Sequence, residues 1–163
     1  MSSSVLEILV ILLLTILNGI FSGSEIAVVS ARKIRLEQLL EQGNVKARAA
    51  LKLANNPNEF LSTVQIGITL IGILSGAVGG ATIAQRLKPA FDNIPRLQPY
   101  SEAISVVIVV TIITYLSLVI GELVPKRIAL NAPEKIACTV AKPMRWLSRL
   151  TTPLVRILGS STE

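Results

Sequence analysis

The chain carries three long runs without a single charged residue, at 8–24, 60–85 and 103–121. A helix needs about 20 mostly apolar residues to cross a bilayer, and lipid satisfies no backbone polar group. With their apolar flanks these runs predict spanning helices at about 5–29, 60–85 and 103–124. Composition agrees: 51% of the chain is hydrophobic and 16% is charged, against about 25% charge in soluble domains. No Lys or Arg precedes the first run, so the positive region of a signal peptide is missing and the run reads as a retained span.

The charges that remain are segregated. Arg32, Lys33, Arg35, Lys46, Arg48 and Lys52 follow the first span; Lys126, Arg127, Lys135, Lys142, Arg145, Arg149 and Arg156 follow the third. The segment between spans two and three holds only Arg86, Lys88 and Arg96. The positive-inside rule places the two basic segments in the cytoplasm and the N-terminus outside, in a multi-pass protein of the plasma or inner membrane. Both basic segments read as amphipathic juxtamembrane helices, at about 31–54 with a break at Gly43-Asn44, and at about 133–158. Asn56-Pro57-Asn58-Glu59 has the spacing of a capping box opening span two, and Asn131-Ala132-Pro133-Glu134 repeats it. Pro143 and Pro153 are expected to kink or split the last helix. Its basic residues recur every seven positions, from Lys135 through Lys142 and Arg149 to Arg156, a face suited to anionic headgroups of the bilayer.

Absences narrow the chemistry. There is no histidine and one cysteine, Cys138. Ser-His-Asp and HExxH catalysis, internal disulfides and Cys-rich metal sites are therefore excluded. An enzyme is not expected. Aromatics make up 4% of the chain, too few for the base-stacking platforms of single-strand readers, so no nucleic-acid partner is expected either. Any ligand is held by oxygens.

Three polar clusters interrupt the spans, and intramembrane polar groups are functional candidates by default. In span one, Asn18, Ser22 and Glu25 share a helix face, flanked by Gly19, Gly23 and Ser24. The alternative is a small-residue packing seam. In span two, Thr63, Gln65 and Thr69 precede Gly72, Gly76 and Gly80, a double GxxxG pattern suited to tight packing. Span three closes with Gly121-Glu122-Leu123-Val124-Pro125-Lys126. Pro125 has no N–H, so the Gly121 carbonyl loses its helical donor and stands beside the Glu122 carboxylate. The alternative is a helix end with Glu122 paired to Lys126 at i+4. Ser22, Gln65, Thr69, the Gly121 carbonyl and Glu122 would form a hard-oxygen set in the inner half of the membrane, suited to magnesium or calcium. Asn18, Ser24, Glu25, Thr63, Pro125 and Lys126 stand as pathway or supporting residues.

These motifs, N-x-x-F-S-G-S-E from Asn18, T-x-Q-I-G-x-T from Thr63 and G-E-x-x-P-K from Gly121, together resemble the transmembrane domain of the CorC / cyclin M (CNNM) magnesium transporters. The resemblance covers almost the whole chain, which reads as one such domain over 1–163. It implies a homodimer of three-span subunits with a cytoplasmic belt of juxtamembrane helices. It also implies magnesium transport, as efflux with sodium as the coupling ion, through Ser22, Gln65, Thr69 and Glu122 with the Gly121 carbonyl. Members of that family usually continue into a pair of CBS domains that bind ATP. Those domains are absent from this chain, which also lacks a P-loop, so no ATP site is expected in it. The competing readings are a dimeric anchor that senses magnesium for cytoplasmic domains without transporting it, and a proton-coupled drug antiporter built on Glu25.

Overall fold

A computed structural model describes the backbone of residues 3–160 and the side chains of 5–79 and 82–153. The fold is all-α. The first span is α1 (Ser3–Ser30), followed by α2 (Lys33–Glu41) and α3 (Val45–Asn55). The second span, α4, runs from Pro57 to Asp92. A 3-10 turn at Gln98–Tyr100 leads into α5 (Ser101–Leu118), a π-helical turn at Val119–Leu123, and α6 (Val124–Asn131). The last helix is α7 (Pro133–Ser160). Three of these stretches are long and apolar enough to span a membrane: Val5–Ser30, Pro57–Asp92 and Gln98–Asn131.

The α2–α3 break falls where the sequence places it. Gly43 has φ +89°, a conformation in which any other residue carries steric strain. Asn44 then caps α3, its side chain accepting from the Lys46 backbone N–H at 3.1 Å.

Burial is unevenly distributed. The apolar core lies at the basic end, where Val28, Leu36, Ala50, Leu53, Phe60, Ala137, Ala141 and Met144 pack together. The spans above it keep most of their Ile, Leu and Val side chains exposed. Lipid tails solvate such faces without cost, so no inter-span hydrophobic core is needed. At the opposite end polar ties serve instead. Arg86 pairs with Glu7 at 3.3 Å, and Ser101 donates to Asp92 at 2.5 Å.

Of four local expectations, two are corrected: the Asn56 cap and a split in the last helix. Asn56 precedes α4 but makes no side-chain cap; Glu59, its expected box partner, instead accepts from the Thr152 hydroxyl at 2.6 Å. The second Asn-x-x-Glu does precede a helix, since α6 ends at Asn131 and α7 starts at Pro133; its Glu134 accepts from the Arg32 backbone N–H at 3.3 Å. The last helix is not split, since α7 continues through Pro143 and Pro153. Each proline costs about 3 kcal/mol in a helix interior; around Pro143 the helix buries Ala137, Cys138, Ala141 and Met144. The Gly72 and Gly76 face, which the sequence offers to a partner helix, is open in the single chain. A Cβ at either would meet nothing within 4 Å, whereas one at Gly79 would strike Ile113. The buried stripe of α4 is Phe60, Val64, Ile71, Ser75 and Gly79, while Gln65, Thr69, Gly72 and Gly76 form the exposed stripe beside it. The surroundings of Gly80 and the Arg156 side chain lie outside the described residues.

Candidate cation site

The site forms where α1 crosses the end of the third span. Small residues permit the crossing. A Cβ on Gly19 would sit 2.9 Å from the Pro125 ring and 3.2 Å from the Ile120 carbonyl, so only glycine lets the two backbones approach this closely. Pro125 cannot continue the i→i+4 ladder, and the chain answers with a wide turn: the Val124 N–H donates to the Val119 carbonyl, five residues back. Such π-turns recur at functional sites because they redirect backbone carbonyls. Here the Gly121 carbonyl accepts from the Asn18 side-chain amide at 3.0 Å. It is therefore not the open ligand that the sequence suggests, although its second lone pair is uncommitted by that bond.

The other oxygens divide into paired and unpaired. Glu122 takes the alternative that its spacing allows, with Lys126 Nζ 2.6 Å from its Oε1. Ser22 is completely buried. Its Oγ and the Asn18 Oδ1 have no hydrogen-bond partner among the described residues. Leaving a buried polar atom unmet costs about 1–3 kcal/mol. Both atoms lie on α1, one turn apart.

A cleft of about 280 Å³ adjoins this point, lined by Thr15, Asn18, Ser75, Thr114, Ser117 and Glu122 among its polar groups. Of the sequence-derived set, it brings Asn18 and Glu122 together. Gln65 and Thr69 stand exposed on α4 outside the cleft wall. Ser24 is buried and donates to the Ile20 carbonyl of its own helix at 2.5 Å. Thr63 is also buried, shares a 2.9 Å hydrogen bond with Thr151 and so ties α4 to α7. Glu25 is half-buried. The hydroxyls of Thr15, Ser75, Thr114 and Ser117 were missed. Their signal was present in the helical spacing: Thr15 precedes Asn18 by three residues, and Thr114 and Ser117 precede Gly121 by seven and four. No group of three or more His, Cys, Asp or Glu side chains that could hold a metal occurs among the described residues. Any ion here rests on one carboxylate and neutral oxygens.

Residues 8–163 match the cyclin M transmembrane N-terminal domain, CNNM. The chain belongs to the CNNM family. Among its relatives, the UPF0053 protein sll0260 of Synechocystis sp. is 65% identical over 163 residues, covering 99% of this chain and 36% of that protein. UPF0053 protein YugS of Bacillus subtilis is 32% identical, covering 98% of this chain and 37% of its own length. The polyamine export protein of Escherichia coli (strain K12) is 36% identical over 149 residues, covering 91% of this chain and 33% of its own. This CNNM chain thus spans about a third of the length of the curated relatives it matches.

Proposed function

We propose that this CNNM chain is the membrane-spanning part of a cation transporter, with magnesium as the transported ion and Glu122 as its charged ligand. The observation that carries the reading lies at the α1–span-three crossing: Glu122 and Asn18 line one cleft, the Gly121 carbonyl of the π-turn accepts from Asn18, and Asn18 Oδ1 is buried without a partner among the described residues, as is Ser22 Oγ one turn along α1. Hard neutral oxygens with a single carboxylate suit a divalent ion that must be released again. Loading the site then means exchanging the ion for the Lys126 ammonium, which leaves Glu122 to find water or lipid phosphate at the basic end. That end faces the cytoplasm, by the positive-inside rule. A second copy on the exposed α4 stripe would add Gln65 and Thr69 to the wall of a shared pathway, in the inner half of the membrane. Sodium coupling and outward direction remain part of the proposal.

A second substrate class has its own support. Glu122 already holds a primary ammonium at 2.6 Å, the cleft beside it is largely aliphatic, with Ile68, Ile71, Val110 and Ile113 in its wall, and one relative is named a polyamine export protein. A linear polyamine has the matching chemistry, an ammonium on a methylene chain.

Thermal unfolding of the purified chain across magnesium and spermidine titrations tests both. Ligand bound only by the folded state raises stability with concentration. We expect a saturable rise with magnesium that Glu122→Gln abolishes. A rise with spermidine alone assigns the polyamine, and no rise with either removes the site. Flux in reconstituted vesicles then separates a transporter from an anchor that only senses the ion.

A further inference from the structure

A second, larger cleft opens at the basic end, away from the span-three crossing. Its volume is about 900 Å³, and it lies between α2, the start of α3 and the α6–α7 junction. Arg35, Lys46 and Lys135 line it, with one carboxylate, Glu134. That carboxylate is engaged by the Arg32 backbone N–H. The ion pairs found among the described residues are Glu7–Arg86, Glu102–Lys88 and Glu122–Lys126, so none of the three cleft cations has a carboxylate partner there. Three cations from three different helices in one concavity repel one another, and concave walls focus their field. The buried Cys138 thiol in the same wall is pushed up chiefly by burial and further by Glu134, and is lowered by Lys46.

We propose that this cleft binds a phosphate-bearing anion. Arg35 offers the planar fork that matches phosphate oxygens, and Lys46 and Lys135 offer point charges. Side-chain amides of Gln38 and Asn131 in the wall add neutral donors. The cleft lies close in sequence to the ends of spans one and three, since α2 begins at Lys33 and α7 at Pro133. At that depth lipid phosphates are the nearest source, and soluble phosphates the other. The idea is distinct from diffuse attraction of the basic α7 face, because Lys142 and Arg149 lie outside the cleft wall. It is also independent of Glu122.

The test uses the full chain in uncharged detergent, with thermal unfolding as the readout. The probes are short-chain phosphatidylglycerol, phosphatidylcholine of the same chain length as a zwitterionic control, inorganic pyrophosphate and an acidic peptide without phosphate. Two variants remove equal charge: Lys46→Gln with Lys135→Gln in the cleft, and Lys142→Gln with Arg149→Gln outside it. All four residues are exposed, so folding is not at stake, and Arg35→Gln serves as an independent cleft variant. We expect saturable stabilisation by phosphatidylglycerol or pyrophosphate, weakened about tenfold or more by either cleft variant, as loss of charge-assisted hydrogen bonds predicts. The outside variant retains it. Stabilisation by phosphatidylglycerol alone identifies a lipid headgroup; stabilisation by pyrophosphate as well identifies a general phosphate site. Equal loss in both double variants, or no stabilisation by either phosphate, overturns the proposal. Stabilisation by an acidic peptide where both phosphates fail overturns it in favour of a protein partner.

Discussion

Lys126 and Glu122 stand one helical turn apart, and the side chains are each about a third exposed. Such an i,i+4 pair contributes only about 0.2–0.5 kcal/mol in water, weak enough to yield to an arriving cation. If the ammonium occupies the ligand position, Lys126→Met tightens the apparent magnesium affinity by about 1.5- to 2-fold, the reverse of the pair's own strength. Magnesium-dependent unfolding curves measure this, and weaker binding would show that Lys126 supports the site instead of filling it. At this scale the sequence was legible in part. Glu122 and Lys126 are near neighbours, so their pairing could be read from spacing. The partner of the Gly121 carbonyl could not, because Asn18 lies 103 residues away and only the crossing of two helices brings it there.

Between elements, the decisive contact is Gly19 on Pro125. Gly19→Ala would gain helix propensity of up to about 1 kcal/mol in isolation, yet its Cβ would lie 2.9 Å from the Pro125 ring. We expect a net loss of thermal stability, reduced when Pro125→Ala removes the ring. A double-mutant cycle should give a coupling of about 0.5 kcal/mol or more, as touching residues do. Strict additivity would mean that the helices separate at no cost. The three spans and the break at Gly43 were readable because hydropathy runs and glycine punctuation are local. The Asn56 capping box failed for the opposite reason. Glu59 has the right spacing, but it meets a tertiary donor, the Thr152 hydroxyl. A GxxxG pattern likewise states that a face is smooth without stating what lies on it.

The molecule as a whole buries its apolar core at the basic end and leaves the spans open to their surroundings. The exposed α4 stripe is where a second copy can settle, and the chain itself places nothing within 4 Å of a Gly76 Cβ. Gly76→Leu should therefore leave the fold of one subunit intact and, if the proposed homodimer packs on this stripe, break it. Cross-linking and gel filtration in detergent read the first effect against the second. A stable mutant dimer would move the interface elsewhere, and loss of the subunit fold would contradict the open surface. The π-turn at Val119–Leu123 has a consequence on the same scale. Counted in chain length, it is a one-residue insertion in an otherwise regular helix. Each residue of an α-helix turns the chain by about 100°. Without the extra residue, Lys126 and the rest of α6 would swing by roughly that angle relative to α5. Pro125 would leave its seat on Gly19, Glu122 would leave the wall it shares with Asn18, and the Asn18 amide would lose the Gly121 carbonyl.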